Sequence, residues 1–322
     1  MANPLQELNS KNFETDQDRN QSLESVANAE GKCKKIYQQL TQKTDNLADE
    51  TLKAKFSWRV RVGGMRGFQE LLLPVFHPVY GVPYIPSSSL KGAILAQAKQ
   101  YERKGEISLD EVKRILGDIK TGIGTVQILD AFPTEPCLSV DMANPQWSWK
   151  DHQVQYNPVP HPLLSMEEPE ILIGLVSTSR GRYQNQKNHD LQTVKGWLKQ
   201  ALNAGIGSRV SAGYGRTEVT GNLPYNSTLY FQFYSQGMFG ASNQDKTFRP
   251  VALRGILRYW FRAIALGLYN NQTAQQFENK LFGQLSQEGS IRLGVELTEE
   301  DMGNRDDPYF CQGNILIEAK QE

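Results

Sequence analysis

Residues 81–105, GVPYIPSSSLKGAILAQAKQYERKG, decide the fold. Prolines precede a run of three serines, and Leu90, Ile94, Ala98 and Tyr101 then recur at helical spacing. Proline before serine hydroxyls is a helix start, because the first turn leaves backbone amides that a hydroxyl can satisfy. Upstream, FSWRVRVGG (56–64) alternates large apolar and polar residues and stops at a glycine pair, which predicts a half-buried strand; Leu71 to Pro74 reads as an apolar loop. Downstream, GTVQILDAF (124–132) and PEILIGLVST (169–178) read as strands, KNHDLQTVKGWLKQALNAG (187–205) as a helix ending at glycine, and VSAGYGRTEV (210–219) as extended chain. Strand, helix, strand, then strand, helix, strand is the order of a split βαβ sandwich, so the predicted fold class is α+β, ferredoxin-like.

The pattern then recurs. LYFQFYSQGMFG (229–240) alternates as residues 56–64 do, and RPVALRGILRYWFRAIA (249–265) repeats the proline, the Leu-basic-Gly step and the apolar helix of IPSSSLKGAILAQA (85–98). Lys91 and Arg254 are the equivalent positions. The predicted organisation is a polar N-terminal segment, helical or disordered, over 1–50, a ferredoxin-like domain over 51–225, and a partial second ferredoxin-like unit over 226–322. The first segment carries too few apolar residues for a core of its own, and the last has no second glycine-rich stretch.

Among the 322 residues, 35 Lys plus Arg balance 35 Asp plus Glu, so no global field draws the chain onto nucleic acid or an anionic membrane. An anionic partner must be held by local patches. No apolar run approaches the roughly 20 residues of a membrane span, and the N-terminus lacks the basic-then-apolar order of a secretory signal. The expectation is a soluble cytoplasmic protein with no membrane partner. Cys33, Cys137 and Cys311 are dispersed and odd in number, and His77, His152, His161 and His189 lack metal-ligand spacing. No disulfide framework, structural zinc, other metal site or cofactor is expected.

Two stretches carry candidate anion-binding chemistry. AGIGSRVSAGYGR (204–216) places Gly205, Gly207, Gly213 and Gly215 around Arg209 and Arg216, a backbone able to approach a phosphate closely with two cations to neutralise it. It lacks the Gly-Lys-Ser/Thr of a P-loop, and glycines that only permit turns are the plain alternative. At the helix start, Ser88, Ser89 and Lys91 offer hydroxyls, free amides and a cation at the positive end of the dipole; a simple serine cap is the alternative. In the second copy Arg254, Arg258 and Arg262 recur every four residues opposite the apolar Leu253, Ile256, Leu257, Trp260, Phe261 and Ile264. That is a cationic strip about 12 Å long, for RNA or, in the bland reading, for solvent or internal carboxylates. Asp130 and Asp141 flank a turn-rich segment where an aspartate more often caps a turn than binds metal. No catalytic residue stands out.

HPVYGVPYIPSSSLKGA (77–93), LDAFPTEPCLSVDMANP (129–145), the helix leading into LNAGIGSR (202–209) and SAGYGRTEV (211–219) resemble, in order and spacing, the RAMP superfamily of CRISPR interference complexes, and specifically the sixth Cmr subunit of type III-B effectors. TFRPVALRGILRYWFRA (247–263), KLFG (280–283) and GSIRLGVEL (289–297) look instead like the start of the first Cmr subunit, a departure from a single-unit sixth subunit. The resemblance implies an RRM-related RAMP core lying along a CRISPR guide RNA, with the glycine-rich loop and the Lys91 helix start near its backbone. It implies guide RNA, target RNA and other RAMP subunits as partners, a role in antiviral defence, and a place capping the subunit filament. The aspartate that slicing RAMP subunits use falls at or next to Leu72, with Glu70 the only nearby acid. A non-catalytic RNA-binding subunit is therefore expected; the alternatives are a metal-dependent endoribonuclease using Glu70, Asp130 or Asp141, and a purely protein-binding cap whose RNA contacts are incidental.

Overall fold

The computed structural model describes residues 2–11, 15–63, 72–120, 122–183, 187–217, 227–235, 248–284, 287, 289–303 and 308–319. They form two compact units. The first comprises Met1–Ser139, Leu164–Ser208 and Tyr214–Glu218; the second comprises Val140–Leu163, Arg209–Gly213 and Val219–Glu322.

The first unit opens with helices α1 (Pro4–Asn9), α2 (Asp16–Glu30) and α3 (Lys34–Leu47), then strand β1 (Glu50–Lys55), helices α4 (Ser87–Arg103) and α5 (Leu109–Leu116), and strands β2 (Gly117–Asp118), β3 (Gly122–Ile123), β4 (Val126–Ile128) and β5 (Phe132–Pro133). Strand β6 (Leu138–Ala143) leaves this unit, the hairpin β7 (Trp147–Lys150) and β8 (Gln153–Tyr156) follows, and β9 (His161–Met166), paired with β6, returns. Strand β10 (Glu170–Ser177), α6 (Ser179–Tyr183) and α7 (Lys187–Ala204) complete it. The sheet runs β1-β10-β4 with β5 also on β10, all antiparallel, in the register Glu50↔Leu175, Leu175↔Ile128 and Leu172↔Phe132.

Strand β10 is central, and its run of Ile171 to Leu175 is buried without alternation. Such a strand needs cover on both faces. Helix α4 packs along α7, supplying Leu90, Ile94, Ala98, Leu191, Val194 and Leu198 to the core. Helix α3 packs on β10 as well, and a Cβ at Gly174 would meet Thr44 and Ala48. The N-terminal segment is thus helical in its described parts, and its few apolar residues, among them Leu23, Val26, Tyr37 and Leu40, are buried. Glu30 ties it down by accepting from the Tyr37 hydroxyl and from the amides of Cys137 (2.7 Å) and Leu138 (2.6 Å).

The strand expected over 56–64 is a correction. The strand is β1, over 50–55, and Phe56–Gly63 bends away, with Val60 forming a single bridge to Met166. The period-two reading failed because Arg59 and Arg61 do not face solvent: they are 1% and 7% exposed. Arg59 donates to Ser165 Oγ (3.2 Å), Ser139 Oγ (3.1 Å) and Glu167 Oε1 (2.7 Å). Residues 210–219 are likewise not extended where described: Val210–Ala212 is a 3₁₀ turn and Gly213–Gly215 continues as turn.

The second unit carries β11 (Ser227–Ser235), α8 (Pro250–Leu268), α9 (Asn271–Phe282), β12 (Ile291–Asp301) and β13 (Tyr309–Ala319). Its antiparallel sheet runs β11-β13-β12. In both units the first strand is followed by two helices, and the last strand of the sheet lies between the first and an intervening one, β10 between β1 and β4 and β13 between β11 and β12. The equivalence reaches single residues. Gly117 (φ +79) ends α5 as Gly283 (φ +78) ends α9; a Cβ at Gly124 would sit 2.3 Å from Ile115 O, and one at Gly289 2.3 Å from Leu281 O. Thr125 N donates to Arg114 O as Ser290 N does to Lys280 O. One face of this sheet is buried under Phe248, Ala252 and Leu253, against Phe231, Phe233, Tyr309 and Cys311. The described fold is mixed α/β with antiparallel sheets.

Candidate nucleic-acid interface

Helix α4 begins at Ser87 after Pro86, which provides no side-chain cap. The cap comes from a distance: Ser87 N donates to Asp130 Oδ1 at 2.7 Å. Asp130 therefore supplies the anion that a helix N-terminus attracts. Ser88, Ser89 and Lys91 remain exposed on the first turns. Ser88 and Lys91 line an open trough of about 870 Å³, closed on its other side by Asp118, Ile119, Gln127 and Gly122–Gly124.

The neighbouring face of α4 meets the glycine-rich loop. Ser89 and Ala93 line a second groove of about 480 Å³ together with Val62, Gly63 and Gly205–Ser208. Two candidate sites read separately from the sequence, the Ser89 helix start and the Gly205–Gly207 turn, thus share one wall-to-wall groove. Gly207 (φ +82) must lack a side chain, since its Cβ would lie 2.4 Å from Arg61 O, and Gly215 (φ +71) is held the same way, 2.0 Å from Ile206 O. The loop is pinned to the 57–61 segment by Ser208 N to Arg61 O, Gly215 N to Arg59 O and Ser57 N to Arg216 O. Arg209 is half-buried in the left-handed region at φ +61, a conformation costing a non-glycine residue about 1–2 kcal/mol. Arg216 is 2% exposed, so its head is held inside the unit and not offered to a phosphate. Gly213, also left-handed at φ +94, closes the turn that clusters with the second unit.

The arginines of α8 depart from the cationic strip expected of them. Arg254 donates to Ser211 O (2.6 Å) and to Phe282 O; burial, with the charge of Arg258, depresses its pKa to about 10. Arg258 Nε and Arg262 Nε lie 2.6 Å from Glu278 Oε1 and Oε2, and Trp149 Nε1 donates to the same carboxylate at 3.0 Å. Arg262 also stacks over the Trp149 ring, 5.5 Å from its centroid. The arginine side of α8 faces inward, while Ile256, Trp260 and Ile264, part of the apolar set, face outward at 38%, 59% and 62% exposure. The reason is Glu278: a fully buried carboxylate on α9 needs cations, and α8 provides two.

The carboxylates of the endoribonuclease alternative have structural tasks. Asp130 caps α4, and Asp141, 1% exposed, pairs with Arg249 and accepts from Met142 N. Glu70 lies outside the described residues. Among the described residues no group of three or more His, Cys, Asp or Glu gathers as a metal site. Sequence reasoning missed Glu278 and Trp149; the alternation of Trp147 and Trp149 before a turn was the available signal.

Residues 51–218 match the RAMP superfamily. Over 69 residues the chain is 29% identical to the CRISPR system Cmr subunit Cmr1-2 of Pyrococcus furiosus, a stretch that is 21% of this chain and 37% of that protein, so the chain spans little more than a third of its length. Among solved structures it is similar to a chain of the type III-B Cmr-beta complex bound to cognate target RNA (20% identity, 64% of this chain and 75% of that chain, TM-score 0.44). It is also similar to Cmr6 of Pyrococcus furiosus (20% identity, 52% and 97%, TM-score 0.32). The matched region runs from β1 through the glycine-rich loop, takes in both walls of the groove and covers more than half of the residues: the chain belongs to the RAMP superfamily.

Proposed function

We propose that this chain is a non-catalytic, RNA-binding structural subunit of a type III CRISPR interference complex, holding guide RNA by its backbone and capping the subunit filament in antiviral defence. The observation that carries the reading is the shared groove, where exposed Ser89 faces the Gly205–Gly207 turn, while Ser88 and Lys91 line the adjoining trough at the start of α4. A glycine turn lets a sugar-phosphate backbone approach, and nearby Ser, Lys and Arg supply hydrogen bonds and charge. Ser88, Ser89, Lys91, Gly205 and Gly207 form the proposed contact set of the first unit, and Arg209, which clusters with the second, is proposed as a contact by itself. Arg254, Arg258, Arg262 and Arg216 leave it, because their heads are engaged or enclosed within their units.

In this reading residues 51–225 are one ferredoxin-like, RRM-related RAMP unit, 1–50 brace it, and 226–322 are a partial second unit. The strand order β1-β10-β4, repeated as β11-β13-β12, supports it, being three of the four strands of a split βαβ sheet in their expected order. The RAMP superfamily match and the Cmr-subunit relative support other RAMP subunits as partners, and guide RNA and target RNA are the nucleic acids we propose. No described helix is long and apolar enough to cross a membrane, and we assign the chain to the cytoplasm with such complexes.

The test is to copurify the chain with its complex, crosslink bound RNA and map the adducts. Adducts at Ser89–Lys91 and Gly205–Arg209 are expected. Divalent-dependent cutting of a matched RNA by the purified chain would return the endoribonuclease alternative.

A further inference from the structure

We infer that the outward face of α8 is a docking site for an amphipathic α-helix of another polypeptide, a helix that stands to α8 as α7 stands to α4. The argument is independent of RNA binding. With Lys91 equivalent to Arg254, Leu90, Ile94 and Ala98 correspond to Leu253, Leu257 and Phe261. The first three are 0% exposed, whereas the second three are only half-buried. On the flank, Ala93, Gln97 and Tyr101 are half-buried, while their counterparts Ile256, Trp260 and Ile264 are exposed. In the first unit that flank is the α7 side: α4 packs along α7, and Ala93 faces Gly205–Ser208, the chain that leaves α7. Each of these six positions on α4 has a more exposed apolar counterpart on α8.

The chemistry of the face selects its occupant. From Gly255 to Leu268 the exposed side of α8 reads Gly255, Ile256, Tyr259, Trp260, Ala263, Ile264, Gly267 and Leu268, without a charge, so it offers nothing to phosphate and everything to an apolar stripe. The row of small residues beside the large ones leaves a shallow groove of the kind a neighbouring helix ridge fills. Ile256, Tyr259, Trp260, Ile264 and Leu268 together expose roughly 500 Å², taking about 150–250 Å² for each large side chain when free. That is a patch of interaction size. It falls short of the ~800 Å² per partner of a stable dimer, which disfavours a second copy and suits a single helix. Helix α7 itself is already used on α4.

The probe is a stapled, fluorescent peptide with the sequence of residues 187–204, whose Leu191, Val194, Trp197, Leu198, Ala201 and Leu202 form its buried apolar stripe. Anisotropy with the full chain should show saturable binding. Trp260→Glu with Ile264→Glu should weaken it at least tenfold with an unchanged unfolding midpoint, since both side chains are exposed, and Trp197→Glu with Leu198→Glu in the peptide should abolish it. Absence of binding, or equal binding to the double variant, overturns the inference. So does sedimentation showing a dimer of the chain alone that the double variant dissolves, because the occupant would then be a second copy.

Discussion

Arg262 and Glu278 form a buried ion pair, Nε to Oε2 at 2.6 Å, in which 6% of the arginine side chain and none of the glutamate reaches solvent. Breaking one side of such a pair strands an uncompensated charge, which costs about 3–5 kcal/mol. Glu278→Ala strands two, Arg258 and Arg262, and also removes the acceptor of Trp149. Chemical denaturation of the second unit should show a loss in that range. A loss below about 1 kcal/mol would mean that the arginines find solvent or other partners.

The same carboxylate predicts an acid dependence. Burial alone would raise its pKa, but hydrogen bonds from Arg262 and Arg258 and their charges outweigh burial and hold it below the ordinary 4.5. The folded value is depressed, so the contribution is fully present above 4.5 and is lost as pH falls through the folded pKa. Glu30 has the opposite sign: burial raises its pKa despite bonds from Tyr37, Leu138 and Cys137, so what it contributes is lost as pH rises through its folded value. The stability difference between wild type and Glu278→Gln should therefore shrink below pH 4.5, while that between wild type and Glu30→Gln should not shrink with it.

The glycine-rich loop is held by sterics. Gly207→Ala and Gly215→Ala each place a Cβ within 2.4 Å of a carbonyl oxygen at positive φ, and each should destabilise the first unit by at least about 1–3 kcal/mol. Gly92→Ala, inside α4 with nothing within 4 Å of its Cβ, should stabilise by about 0.4–1 kcal/mol. Thermal unfolding of the three variants checks both signs.

What the sequence disclosed follows the range of the interactions involved. Helices α4 and α7 and strand β10 were legible because their signals are local: a proline-serine start, a terminal glycine, an unbroken apolar run. The repeat was read from signals just as local: the proline, the Leu-basic-Gly step and the apolar helix that recur at 85–98 and 249–265. Residues 56–64 were misread because Arg59 is satisfied by Glu167, 108 positions away, and alternation cannot reveal a buried cation. Helix α8 was turned the wrong way round for the same reason: its arginines look like a solvent face until Glu278 is placed beneath them. The groove joining Ser89 to Gly205 was legible as two halves, but their meeting depends on α4 lying against the chain after α7.

The central claim is that the start of α4 and the glycine-rich loop hold an RNA backbone, and the salt dependence of binding tests it most directly. Phosphate contacts release counterions, so the logarithm of affinity falls with the logarithm of salt by about 0.7 for each contact with a single strand. For the full chain and single-stranded RNA, Lys91→Ala with Arg209→Ala should weaken binding alike across unrelated sequences and flatten the slope by about 1.4, one increment for each lost cation. A slope identical to that of the wild type would contradict the account and return Lys91 and Arg209 to structural or solvated roles.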